Sequence, residues 1–500
     1  MTIKNKRQYY VTMSLCMLMG VIFVLVFSHS TSPFYPGYYG WDTAHFMTVG
    51  QGWLHGKLPY ADLFDHKGPL IYFLNMLGFA LGGGRDKSGI SFIQIVFICF
   101  TTAAVFAQSR QAAKNTLYGL LVTAVALVGM RINYWDGDLV EEYCLPFICW
   151  SVYGLSEWYM GSRECHSPRW AAFYGITAGI CLLTRATNAA PLTGGILIIC
   201  LYLLKERRFQ NFFQNAGAFL LGFVFITAPF ILYFKAKNCL SEMIYDVLFF
   251  NVSYMKSSTA WILNADGNTW KSFIKLYFLF YSIIPVMLIR LFRRDYPAFL
   301  ALLVTGLIEG WIFLSGYLFV QYPLVCLPQL VLLINEVYLL FQECMDPSQE
   351  KSPKNTIKIA FTTALALCGC LFLLWSAKQN INDTVRVYKA NREYHARAWE
   401  PLIRQIPEDE RSSFVAYGAD EFKELYPITG ITPCYKFYVI QDWLYNKDDK
   451  IAKEMDEVFQ NGRATWILSD QEYSRYQNIL DERYEERGRI DRFVLYRAMT

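Results

Sequence analysis

Leu70-Ile-Tyr-Phe-Leu-Asn-Met-Leu-Gly-Phe-Ala-Leu81, closed by Gly82-Gly83-Gly84, is apolar but for Asn75, and short. A helix needs about 20 mostly apolar residues to cross a bilayer core, and the reading of this stretch sets the sidedness of everything after it. Lys and Arg collect in short cytoplasmic loops. With 70–81 left out as a span, Arg110/Lys114, Arg163/Arg169, Lys205/Arg207/Arg208, Arg290/Arg293/Arg294 and Lys351/Lys354 all fall on the side of the N-terminus. Counting it as a span would export every one of those clusters. The stretch is therefore expected as a helix lying on, or dipping into, the outer leaflet.

Outward from it, apolar runs lie at 9–27, near 90–108, 116–131, 144–160, 170–186, 189–204, 215–234, 272–289, 297–315, 318–341 and 357–376. That predicts about eleven spans. The first run follows Lys4, Lys6 and Arg7 and precedes no small-residue cleavage site, so it reads as a retained anchor. The N-terminus is placed in the cytoplasm. The outer loops are then 29–88, 132–143, 186–188, 235–271, 316–317 and the C-terminal tail.

Charge distribution supports the same division. Of 500 residues 54% are apolar and 18% charged, yet residues 378–500 hold 19 of the 46 Lys+Arg and 22 of the 42 Asp+Glu. A soluble cytosolic enzyme is excluded. The small net charge of +4, with no basic patch, argues against nucleic acid as a partner. The 13 cysteines lie mostly inside apolar runs, which gives no disulfide framework. The expectation is an α-helical polytopic membrane protein. Residues 1–376 form the membrane part, and 377–500 form an extracytoplasmic α/β domain. In that domain 413–417, 465–469 and 492–497 read as strands, and 449–459 and 471–484 as amphipathic helices.

The first outer loop concentrates ionisable groups. It runs Gly40-Trp-Asp42-Thr-Ala-His45-Phe, then His55-Gly-Lys57-Leu-Pro-Tyr60-Ala-Asp62-Leu-Phe-Asp65-His66-Lys67-Gly-Pro69, and it holds four of the six histidines. Such groups at membrane depth usually mark function; the alternative is an interfacial girdle with solvated charges. The second outer loop is acidic: Asp136, Asp138, Glu141 and Glu142. The spacing of His45, His55 and His66 is not a zinc pattern. Glu309, inside an apolar run, either lines a lipid path or is a buried, paired acid.

These segments, with Glu141-Glu142-Tyr-Cys-Leu-Pro146, Leu183-Thr-Arg185-Ala-Thr-Asn188 and Tyr317-Leu-Phe-Val-Gln321-Tyr322-Pro, resemble the GT-C superfamily of membrane glycosyltransferases. The similarity is to bacterial relatives of protein O-mannosyltransferases and of the lipid A aminoarabinose transferase. The resemblance implies transfer of a sugar from a polyprenyl-phosphate-linked donor to a cell-envelope acceptor (lipid, glycan or protein) on the outer membrane face. It maps the catalytic carboxylate to Asp42 and places a membrane-parallel helix after the Lys67-Gly-Pro69 motif. A hydroxyl near pH 7 needs a base as it attacks, a role assigned to Asp42. The leaving phosphate needs cations, for which Lys67 and then Arg185 are the candidates; for Arg185 snorkelling to headgroups is the alternative. Glu141 or Glu142 would position the acceptor or a divalent cation. Tyr60, Asp62, His66 and Tyr322 are supporting residues. No cofactor is otherwise implied. A transporter or flippase of lipid-linked saccharides would place charges along several spans rather than in the outer loops.

Overall fold

The computed structural model describes residues 3–257, 265–315, 317–345, 369, 371, 374–389 and 397–499. The expected span at 357–376 lies outside them apart from 369, 371 and 374–376, and so do Lys351 and Lys354. The chain divides into two compact units. One comprises Met1–Ser28, Ile93–Pro229 and Ala260–Tyr388, and the other His29–Phe92, Phe230–Thr259 and Lys389–Thr500.

The first unit is helical. Its helices are α1 (Ile3–Phe27), the bulk of α4 (Ser88–Ala113), α5 (Thr116–Arg131), α6 (Val140–Met160), α7 (Pro168–Leu182), α8 (Ala190–Lys205), most of α9 (Phe209–Ala236), α12 (Gly267–Leu276), α13 (Phe278–Tyr281), α14 (Ile283–Phe292), α15 (Tyr296–Ser315) and α16 (Leu327–Met345). Among the described residues six helices are long and apolar enough to cross a bilayer, or seven if one bent pair counts as a span. The predicted runs at 116–131, 144–160 and 170–186 are helical but miss that measure. α5 and α7 are short, and α6 carries Glu141, Glu142 and Glu157.

The run expected to be continuous at 272–289 is instead bent by 64°. The Asn133 amide donates to the freed Leu276 carbonyl at 2.9 Å, and Tyr277 turns its hydroxyl to the Phe319 carbonyl at 2.9 Å. A side chain entering the carbonyl ladder is a sufficient cause of a kink.

The second unit joins residues 29–92 to the C-terminal residues. Its loop helices are α2 (Trp41–Leu54) and α3 (Pro69–Leu81), followed by Gly83 and Gly84 at positive φ. α3 is the helix expected from the opening stretch. The short helix α10 (Leu240–Ile244), a π-helical turn Tyr245–Phe249 and α11 (Phe250–Ser257) follow the end of α9. The tail carries a five-stranded sheet of order β2-β1-β3-β5-β4, made of β1 (Phe414–Tyr417), β2 (Val439–Ile440), β3 (Trp466–Asp470), β4 (Tyr484–Ile490) and β5 (Phe493–Ala498). β1 pairs parallel with β2 and β3, while β5 pairs antiparallel with β3 and β4.

The three expected strands are present, as is the helix α18 (Asp449–Gln460), which follows α17 (Leu425–Thr429). The helix read over 471–484 is confined to α19 (Gln477–Arg483), because 471–476 turn back and Tyr484 already starts β4. β4, Tyr-Glu-Glu-Arg-Gly-Arg-Ile, escapes sequence reading because it is an edge strand whose charged side chains are exposed.

Close helix approach in the first unit depends on small residues. A Cβ built on Gly175 of α7 would lie 2.0 Å from the Phe219 carbonyl, and one on Gly222 of α9 would lie 2.0 Å from the Ala172 carbonyl. Small residues let helix backbones touch in this way. Gly222→Ala must part the two helices, so it is expected to destabilise by about 2 kcal/mol or more, at the level of overpacked cores. Gly217→Ala, with nothing within 4 Å, is expected to leave thermal unfolding in detergent unchanged or slightly raised.

Candidate active site

In the second unit the first loop is built around two fixed turns. Gly40, extended at φ −77°, precedes α2 and places Asp42 in its first turn. Trp41 and Asp42 are exposed, and among the described residues the Asp42 carboxylate has no hydrogen-bond or ion-pair partner. The next turn of the same helix is buried against the 3-10 turn Asp420–Glu424 and α17. His45 bonds through Nδ1 to the Tyr438 hydroxyl at 2.8 Å. Burial, with help from Lys423, drags the His45 pKa down to about 3, so its imidazole is neutral throughout the physiological range.

The second turn presents Lys67. Tyr60 is fully buried at φ +70°, a left-handed conformation that is strained for an aromatic residue. Its hydroxyl donates to the Lys67 carbonyl at 2.8 Å, and the Lys67 amide donates to the Tyr72 hydroxyl at 3.2 Å. Lys67 is thus held by its backbone from both sides, while its ammonium has no partner among the described residues. Asp62 closes the turn by accepting from the Leu58 amide at 2.7 Å. His66 bonds through Nδ1 to the Asn251 amide oxygen at 2.8 Å, and Asn251 donates back to the His66 carbonyl at 2.7 Å. His55 bonds to the Gln51 carbonyl at 2.8 Å.

The three loop histidines therefore face separate partners. Among the described residues no three His, Cys, Asp or Glu side chains converge as a metal set.

In the first unit the remaining candidates form a cluster of their own. Arg185, at the end of the α7 segment, donates to the Glu141 carboxylate at 3.1 Å. Its guanidinium lies 3.3 Å from the centre of the Tyr322 ring. A stacked guanidinium of this kind keeps its planar donors aligned. The Tyr322–Cys326 3-10 turn is anchored upstream by Asn133, which donates to the Val320 carbonyl at 2.5 Å.

Glu142 is used differently from Glu141. Fully buried, it accepts from the Tyr134 hydroxyl at 2.6 Å, the Gln94 amide at 2.8 Å and the Asp138 backbone N–H at 3.0 Å, and so caps α6. Glu309 is buried as well, accepting from the Gln329 amide at 2.5 Å.

Sequence reading missed Tyr438, Asn251 and Asn133, which bond to candidate residues or to the backbone beside them. None has a local signal, because each partner is distant along the chain.

No curated protein sequence matches the chain. In fold it is similar to ArnT from Cupriavidus metallidurans bound to undecaprenyl phosphate, with 11% identity, a TM-score of 0.57, and coverage of 98% of this chain and 97% of that one. The apo state of the same protein gives 12% identity and a TM-score of 0.56 over the same shares. Archaeal oligosaccharyltransferase AglB from Archaeoglobus fulgidus, in complex with an inhibitory peptide and a dolichol-phosphate, is similar at 11% identity and a TM-score of 0.52, covering 96% of this chain and 71% of that one. The GT-C fold expected from the first-loop motifs is the fold the chain has. The family model described as "Putative competence-induced protein Ccs4 N-terminal domain" matches residues 4–359, and the chain belongs to that family.

Proposed function

We propose that the protein transfers a sugar from a polyprenyl-phosphate-linked donor to an acceptor hydroxyl at the outer face of the membrane. The observation that carries the reading is the pair of unpartnered charges on the first loop: the exposed Asp42 carboxylate and the Lys67 ammonium. Around them Asp62 and the three histidines His45, His55 and His66 are engaged by protein partners. Two further supports are the GT-C fold and the undecaprenyl phosphate and dolichol-phosphate bound by ArnT and AglB.

In this reading the acceptor oxygen attacks the anomeric carbon opposite the phosphate. The new C–O bond forms as the bond to the phosphate oxygen breaks, with inversion of configuration. Asp42 takes the hydroxyl proton, and the polyprenyl phosphate leaves with the bonding electron pair. Lys67 supplies a point charge for the phosphate. In the first unit Arg185, braced by Glu141 and Tyr322, is the alternative cation for that role. The acceptor is a cell-envelope lipid, glycan or protein.

Transfer can be followed in vesicles from cells fed a radiolabelled hexose, as label passes from mild-acid-labile polyprenyl-phosphate lipid into acid-stable product. Asp42→Asn is expected to lower the rate at least about 100-fold, the usual contribution of a general base, with insertion and detergent behaviour unchanged. Wild-type turnover in that variant would remove the base. Lys67→Ala is expected to lower the rate about tenfold or more, as for loss of one charged hydrogen bond. In detergent that loss should shrink as extracted donor lipid is titrated upward.

The proposed sidedness puts the N-terminus inside and the tail outside. Cys165, exposed in the segment between α6 and α7, is then expected to react with an impermeant maleimide only after cells are opened. A cysteine introduced at Glu485 of β4, also exposed, should react in intact cells. The reverse pattern would overturn the topology.

A further inference from the structure

We propose that Lys87 is a positioning residue for Asp42: its ammonium fixes the turn at 35–40 from which α2 springs, and with it the place of the Asp42 carboxylate. The inference rests on the reading of Asp42 as base.

The turn is Tyr35-Pro-Gly-Tyr-Tyr-Gly40, a segment with no regular structure of its own. Lys87, one residue before α4, is buried and sends its Nζ into this turn. The ammonium donates to the Tyr35 carbonyl at 3.0 Å and to the Tyr38 carbonyl at 2.5 Å, and it lies 4.1 Å from the centre of the Tyr39 ring. Two more bonds finish the clamp. Arg397, paired with Glu424 at 2.8 Å, donates to the Gly37 carbonyl at 2.7 Å, and the Gly40 amide donates to the Ser30 hydroxyl at 3.0 Å. Gly40 is the residue immediately before α2, and its carbonyl accepts the first helical bond, from Ala44 at 2.8 Å.

A buried ammonium without a carboxylate partner is unusual, since desolvating a charge is expensive unless it is paired. Among the described residues Lys87 makes no ion pair within 4 Å; its bonds go to carbonyls of one turn. A neutral hydrogen-bonding side chain could brace a loop at lower cost. The charge is used to draw the Tyr35 and Tyr38 carbonyls to a single point, which fixes the direction in which Trp41 and Asp42 leave the turn.

The same burial makes the clamp sensitive to pH. Burial drags the Lys87 pKa down to about 7, with Arg397 pushing the same way and Glu424 and Asp86 opposing. Below that value Lys87 is charged and the clamp is closed. As pH rises through it the charge is lost, and the bonds to both carbonyls weaken.

The vesicle assay above tests this with Lys87→Met, Lys87→Arg and Asp42→Asn measured together across pH 6 to 9. Wild-type transfer is expected to fall on the alkaline side of about pH 7. Lys87→Met should lower the rate at least tenfold at pH 6.5 while the detergent-extracted protein keeps its size-exclusion profile. Lys87→Arg, which stays charged, should recover most of the rate and carry the alkaline fall upward by a unit or more. A wild-type rate in Lys87→Met overturns the proposal. If that variant fails to fold, an alkaline fall in Lys87→Arg at the wild-type position does so instead. An active Asp42→Asn would sink the base assignment itself, whereas an inactive Asp42→Asn beside a wild-type-like Lys87→Met sinks only the positioning role.

Discussion

Phe64 is the pin on which the second unit turns. It comes from the segment between α2 and α3, yet it belongs to the core of the C-terminal sheet domain, among Val415, Ile440, Met455, Phe459 and Ile467. Its ring meets Phe437 at 5.1 Å and Phe250 edge-on at 5.4 Å, and its amide donates to the Lys436 carbonyl at 2.8 Å. Burying a phenylalanine is worth about 1.5–3 kcal/mol, enough to hold a loop. The next three residues are Asp65, His66 and Lys67. Their place is therefore set by the tail, and the tail is part of the candidate site's framework.

The polar bonds around this pin act in the same direction. Lys436 also reaches Asp246 at 3.6 Å, in the π-helical turn before α11. Asp246 is buried, and burial raises its pKa to about 7 against the pull of Lys436. Tyr245 of the same turn donates to Asp448, the residue that caps α18. Loop, connecting helices and sheet domain share apolar contacts and hydrogen bonds, so displacing one strains the others. Such a framework suits residues that must be held within fractions of an ångström.

Much of this was legible in the chain, and the rest was hidden for definite physical reasons. Long apolar runs announce themselves by length, and Phe414–Tyr417, Trp466–Asp470 and Phe493–Ala498 by their β-branched and aromatic density. The break at Tyr277 was not legible, because it depends on Asn133, which meets the carbonyl of Leu276 from 143 positions away. β4 was hidden by its charged exposed side, and the two-residue β2 by its brevity. Within the candidate site, sequence names acids but cannot say which are already engaged. Asp62, Glu141 and Glu142 look alike in the sequence, yet one closes a turn, one pairs with Arg185 and one caps a helix. Lys87 was overlooked for the converse reason: beside a helix start near other charges, it reads as a solvated lysine.

The division between engaged and unengaged groups also narrows the proton chemistry. A base for a hydroxyl must be able to hold a proton near neutrality and must reach the acceptor. His45, one turn beyond Asp42, is the obvious rival in residue type. Its Nδ1 is occupied by Tyr438, and its pKa near 3 makes it a very weak proton acceptor at pH 7. His66 is bonded at Nδ1 to Asn251, and His55 to its own helix. The tyrosines nearby, Tyr60 and Tyr72, have pKa values pushed well up by burial, so they remain protonated donors. A loop this rich in histidine and tyrosine thus offers few bases, and the exposed carboxylate at the head of α2 is the one whose oxygens are not already committed to the fold.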